Sequence, residues 1–205
     1  MSTFYQLAYR IGFHPWEDLA EHKPFADALV GLCEREEQGK EPPYGKALDL
    51  GCGSATWGVR LAARGWLVTG VDNVPKAVAR AETRIRETAV DMRVVLGDVT
   101  RSLEHAVGSG YDLVVDTGTF HGLTPTQRLQ MGREVTSVAA GDSTVILDCF
   151  APRWRGPLPH GCTQADVEEA FPAWRVADVI EADTDPDPIA RIFKFDELFY
   201  RLRRR

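Results

Sequence analysis

From Lys46 onward, short apolar runs alternate with amphipathic stretches, and the last two runs follow each other with no helix between them. The runs are KALDL (46–50), WLVTGV (66–71), MRVVL (92–96), YDLVV (111–115) and STVILDC (143–149). Helical patterns separate them: 55–64, closed by Gly65; 75–88, opened by Pro75; a short one near 100–107; and 125–139. The last begins Thr124-Pro125-Thr126-Gln127, with a capping threonine, a proline for the first turn and glutamine at the capping-box position. Strands that are apolar throughout, joined by amphipathic helices, predict an α/β fold with a doubly wound parallel sheet covered on both faces. The end of the chain breaks that rhythm. After a helix at about 164–171, the strand pattern WRVADVIEA runs through the loop DTDPDP into IFKFDELFYRLR. Two strands with no helix between them pair antiparallel.

Ahead of this unit lie two helical stripes, Phe4, Leu7, Ala8, Ile11 and Phe25, Leu29, Leu32, Cys33, ending in the polar loop 36–46. They cannot bury both stripes alone, so residues 1–45 are expected to cap the unit formed by 46–205. Of 205 residues, 44% are hydrophobic and 26% charged, which suits one domain over 1–205. No apolar run reaches the length of a membrane span, and the start MSTFYQLAYRIGFHPWED does not read as a secretory leader. Four scattered cysteines form no metal or disulfide pattern, so a reducing cytoplasm is the expected compartment. Net charge is −6, and the one basic cluster, Arg201 to Arg205, reads as a solvated end. Nucleic acid and membrane are therefore not expected partners. A monomer or a homodimer fits equally well.

The polar residues at the strand ends carry the chemistry. The first strand runs into Asp49-Leu50-Gly51-Cys52-Gly53-Ser54-Ala55, where glycines let the backbone approach a ligand and a helix N-terminus follows. A dinucleotide fingerprint would need a third glycine where Thr56 stands. About 20 residues past that turn, the second strand ends at Asp72, placed to accept ribose hydroxyls. The third strand leads into Gly97-Asp98-Val99, and the fourth into Asp116-Thr117-Gly118-Thr119-Phe120-His121. Four successive strands thus present polar groups at the edge where open α/β sheets bind ligands.

In these segments the chain resembles the class I S-adenosylmethionine-dependent methyltransferases. ALDLGCGSA is similar to the family's first motif, with Ala55 in place of its last glycine. VTGVD resembles the ribose motif, VVLGDV the adenine motif and YDLVVDTGTFH the fourth motif. The resemblance implies a Rossmann-like seven-stranded sheet in the order 3-2-1-4-5-7-6, with the last strand antiparallel. It implies S-adenosylmethionine as cofactor. Asp49, Gly51, Cys52 and Gly53 would pass beneath its methionine part; Asp72 and Asn73 would hold the ribose; Asp98 and Val99 the adenine; Asp116 and Thr117 would lie near the sulfonium.

GFHPWED and DTGTFHGL resemble the subset of that family acting on small molecules, such as thiopurine, tellurite and thiol acceptors. In that subset Trp16 corresponds to a lid over the cofactor; a tryptophan pinning the N-terminal helices is the other reading. Methyl transfer from a sulfonium is a displacement by a lone pair, so aligning the acceptor is the main task. His121 is a candidate base, or else a structural histidine bonded to the next loop. Phe120, Phe150 and Trp154 either wall an acceptor pocket or belong to the core. A Mg²⁺ site at Asp116 and Asp148 is not expected, because Cys149 follows where a hard cation would want oxygen. A protein that binds the cofactor without catalysis, and a methyltransferase acting on RNA or protein, are the alternatives.

Overall fold

A computed structural model describes residues 23–153, 160–182 and 197–205 of the chain. The first stripe (Phe4 to Ile11), Trp16 and Trp154 lie outside these residues. The described elements are α1 (Lys23–Glu37), β1 (Lys46–Leu50), α2 (Thr56–Arg64), β2 (Leu67–Asp72), α3 (Pro75–Thr88), β3 (Met92–Leu96), α4 (Leu103–Val107) and β4 (Tyr111–Thr117). A 3₁₀ turn (Phe120–Gly122) follows, then α5 (Pro125–Val138), β5 (Ala139–Phe150), α6 (Gln164–Ala170), β6 (Trp174–Glu181) and β7 (Glu197–Arg204). The strands form one sheet in the order β3-β2-β1-β4-β5-β7-β6, with β7 antiparallel to both its neighbours. This is the Rossmann-like methyltransferase order expected above.

Side chains on the two faces of the sheet feed two cores. Ala47, Val68, Met92, Leu113, Val115, Ile146 and Phe199 meet α1 and α2 on one face. Leu48, Leu50, Val71, Val114, Leu147, Tyr200 and Leu202 meet α4, α5 and α6 on the other. The expected stripe Phe25, Leu29, Leu32, Cys33 is the buried side of α1. Gly132 of α5 lets α6 approach so closely that a β-carbon there would stand 1.8 Å from the Ala170 carbonyl oxygen. Both Thr124 and Thr163 form reciprocal capping boxes, with Gln127 and Asp166.

Two adjacent glutamates at the end of α1 tie it to separate parts of the sheet. Glu37 accepts from the Trp66 indole at 2.9 Å and is paired with Arg64. Glu36 accepts from Arg201 Nε at 2.8 Å and from the Thr144 hydroxyl at 2.7 Å, and Arg203 Nη1 lies 3.3 Å away. Arg201 also reaches Asp178 of β6 at 3.0 Å. Expectation and structure part here: the basic cluster at 201–205 is not a solvated end. It is largely strand β7, its charges paired by residues far away in sequence. Arg204 lies over the Trp174 ring and Arg205 donates to the Trp174 carbonyl.

Candidate active site

The turn after β1 is held open by three left-handed residues at alternate positions, Gly51 (φ 63°), Gly53 (φ 54°) and Ala55 (φ 62°). Glycine adopts this conformation freely, whereas alanine does so at a cost of about 1–2 kcal/mol. A β-carbon at Gly51 would stand 1.9 Å from Thr119 Oγ1, and that hydroxyl donates to the Leu50 carbonyl at 3.3 Å. The turn is therefore wedged against the loop after β4. Asp72 secures its other side, accepting from Gly53 N–H at 3.0 Å and Val74 N–H at 2.8 Å. Cys52 turns inward against Gly70, so its backbone, not its thiol, belongs to the turn.

Five neighbouring strands each bring a buried carboxyl to this edge: Asp72 (β2), Asp49 (β1), Asp116 (β4), Asp148 (β5) and Glu197 (β7). None is more than 7% exposed. Burial raises all five: Asp49 and Asp116 to about 7, Glu197 to about 8, Asp72 and Asp148 upward. For Asp49 the charges of Asp116 and Asp72 add to that rise, and for Asp148 those of Glu197 and Asp116.

The five differ in what compensates them. Asp116 accepts from Thr119 N–H at 2.6 Å and Phe120 N–H at 2.7 Å, which fixes the 3₁₀ turn. Neither oxygen of Asp49 makes a hydrogen bond, although Oδ2 lies against Gly58, and Asp148 Oδ1 has no partner either. The other buried side-chain atoms without a partner among the described residues are Trp57 Nε1 and Asn73 Oδ1. Trp57 is the second residue of α2, in the first turn after the glycine turn, and Asn73 follows β2. All of these orphaned groups gather along one edge of the sheet. Buried polar groups are almost always paired, so the concentration marks where a polar ligand would satisfy them.

At β3, Asp98 is turned toward its own loop, accepting from Thr100 N–H at 3.0 Å and the Thr100 hydroxyl at 2.7 Å, with Arg101 3.1 Å away. Burial alone would raise it, but these contacts hold it below the usual carboxylate range. Val99 packs into the core beside Leu103. Thr117, half-buried, sits opposite Asp148.

His121 Nδ1 accepts the Phe150 N–H at 3.2 Å, and the two rings stack at 4.3 Å. With Nδ1 accepting, the neutral ring carries its proton on Nε2 and presents a donor there. Arg128 of α5 holds this corner, donating to the carbonyls of Phe120, His121 and Gly161. Phe120 is fully buried against Phe171, so its ring belongs to the core. Burial raises Cys52 and Cys149 well above the ordinary thiol value, which removes the thiolate a nucleophile would need. Among the described residues, no three His, Cys, Asp or Glu side chains gather to hold a metal ion.

Sequence reading did not single out Trp57, Thr119 or Glu197. Trp57 reads as core from sequence, being a tryptophan on an amphipathic helix. Glu197 had no signal, because only the insertion of β7 beside β5 brings it to this edge.

A family model described as a methyltransferase domain matches residues 47–141. Over 93 residues the chain is 34% identical to ribosomal RNA small subunit methyltransferase C of Alcanivorax borkumensis, a match covering 45% of this chain but only 26% of that protein. It is 27% identical to 2-heptyl-1-hydroxyquinolin-4(1H)-one methyltransferase of Mycobacteroides abscessus, over 89% of this chain and 81% of that one. In fold it is similar to 1,6-didemethyltoxoflavin-N1-methyltransferase of Burkholderia thailandensis, with a TM-score of 0.73 at 18% identity, covering 98% and 86% of the two chains. Residues 47–141 match a methyltransferase domain, and the sheet order, glycine turn and strand-end acids of the chain are similar to those of the class I S-adenosylmethionine-dependent methyltransferases.

Proposed function

We propose that the protein transfers the methyl group of S-adenosylmethionine to a small-molecule acceptor, acting as one unit over 1–205. One observation carries this reading: the orphaned buried groups of Asp49, Trp57, Asn73 and Asp148 lie together along the edge that the Gly51–Ala55 turn leaves open. When bound, the cofactor supplies an activated methyl on a cationic sulfur. The residues present fit such a group, since uncompensated carboxyls favour a cation. Asp72 and Asn73 would hold the ribose. Gly51 and Gly53 would give the backbone access to the methionine part, with Asp49 beneath it.

Thr117 and the His121–Phe150 stack border the acceptor side, where they orient the acceptor and exclude water. The small-molecule reading draws support from the quinolone and toxoflavin enzymes, which match this chain along most of its length. The ribosomal RNA enzyme matches less than half of this chain and about a quarter of its own length, 45% and 26%. Pairing of Arg201 and Arg203 with Glu36 also leaves those two cations little to offer a phosphate backbone. No helix among the described residues is long and apolar enough to cross a membrane, which agrees with a cytoplasmic enzyme.

Calorimetric titration with S-adenosylmethionine and S-adenosylhomocysteine, with NAD as control, tests the cofactor. Binding of both sulfur ligands and not NAD, lost in Asp72→Ala, is the expected result. A folded protein that binds neither sulfur ligand refutes the reading.

A further inference from the structure

The acid row runs past the residues assigned to the cofactor. Across β4–β5, Asp148 is registered with Thr117; across β5–β7, Asp148 lies opposite Phe199 and Phe150 opposite Glu197. Residues two apart on a strand share a face, so Asp148 and Glu197 are diagonal neighbours on the α1 side of the sheet. Both are buried, Asp148 Oδ1 has no partner, and among the described residues neither carboxyl forms an ion pair.

Among the described residues, the groups that act on them offer no cation. Asp116 comes from β4 and Cys162 from the loop before α6, and both act on Asp148 in the same unfavourable sense as Glu197. The His121–Phe150 stack stands beside Glu197. Burial raises both carboxyls, Glu197 to about 8, and the charge of Glu197 adds to the rise of Asp148. Two such groups are tolerated when they share a proton or when a ligand brings them one.

We propose that Asp148, backed by Glu197, is the subsite for the acceptor's reacting atom, and that this atom is a nitrogen bearing hydrogen: an amine or an N–H heterocycle. This rests on the methyltransferase reading above. A neutral N–H donor, with its lone pair free, satisfies the orphaned oxygen. A thiolate, phenolate or carboxylate acceptor has no hydrogen to give Asp148 Oδ1 and would bring a further negative charge into a buried row of carboxyls. In the transfer, the nitrogen lone pair forms the N–CH₃ bond, the C–S electron pair returns to sulfur to leave a neutral thioether, and the N–H proton passes to Asp148. His121 is a positioning residue here, holding Phe150 through its backbone N–H.

The test measures thermal shifts and calorimetric affinities of protein saturated with S-adenosylhomocysteine. The probes are benzylamine, phenethylamine, tryptamine and benzimidazole, set against their phenol, thiol and carboxylate counterparts. Nitrogen compounds are expected to bind and their counterparts not. Asp148→Asn, which keeps the shape, is expected to weaken nitrogen binding about 10- to 100-fold, and Glu197→Gln to weaken it less. The shift caused by S-adenosylhomocysteine alone reports folding and cofactor binding in each variant. If that shift is intact and no nitrogen probe binds, if phenols or thiols bind as well, or if Asp148→Asn binds amines unchanged, the acceptor proposal fails while the cofactor reading stands.

Discussion

Gly51 serves two masters at one position, the left-handed bend of the turn and the close approach of Thr119. Gly39 provides a control, being left-handed (φ 76°) with nothing within 4 Å of where a β-carbon would sit. Gly39→Ala should cost only the backbone term, about 1–2 kcal/mol. Gly51→Ala should lower the melting temperature further and abolish binding of S-adenosylhomocysteine. Equal melting temperatures for the two would show that Thr119 yields freely. Residues such as Asp49, Gly51, Asp72 and Asp116 were legible beforehand because each ends an apolar run, so local pattern alone places it. Trp57 was not, since a tryptophan in an amphipathic helix looks like core until its indole nitrogen is found without a partner. His121 could be named but not assigned, because the partner of its Nδ1 is a backbone amide 29 residues away.

Among elements, α1 depends most on one side chain. Glu36 lies between Arg201 and Arg203 on β7 and also accepts from Thr144 on β5. Removing one partner of a buried ion pair strands the others, at about 3–5 kcal/mol. Glu36→Gln should destabilise the protein by about 3 kcal/mol in urea unfolding, whereas Glu34→Gln, at a largely exposed position, should change little. A loss under about 1 kcal/mol for Glu36→Gln would mean that the arginines find water instead. Helix and strand positions were largely readable, since apolar periodicity and the Thr124 and Thr163 caps are local signals. The start of β5 was not: it begins at Ala139, before the apolar run at 143, because Tyr111 and Ala139 pair ahead of a register shift. The arginines of β7 misled for a related reason, their partner lying 165 residues away.

For the molecule as a whole, the buried acids set the response to pH. Asp49 and Asp116 titrate at about 7 and Glu197 at about 8, all above the ordinary carboxylate range near 4. Between these limits the folded state holds protons that the unfolded state has released. Their contribution to stability is therefore fully present below about pH 4 and is lost as pH rises from there to the folded values, by up to about 1.4 kcal/mol per pH unit for each group. Asp98 and Asp166 lie below their usual values and act oppositely, losing their contribution only in acid. Chemical unfolding of the ligand-free protein should find its maximum near pH 4, with a decline toward pH 8 that saturating S-adenosylmethionine reduces. A stability that climbs from pH 5 to 8 would mean that the acid row is ionised and solvated in the free protein.

The placing of β7 between β5 and β6 also governs how the sheet is assembled. Strands β1 to β5 can zip together in a local order of helical crossovers, but β6 has no seat until a strand later in the chain has filled the slot beside β5. The contacts of β7 with α1 close the longest loop described in the molecule. Closing such a loop is entropically costly, so it belongs to the late side of the folding barrier. The topology therefore predicts that strands β1 to β5 form early and that the Glu197 end of the acid row is completed last.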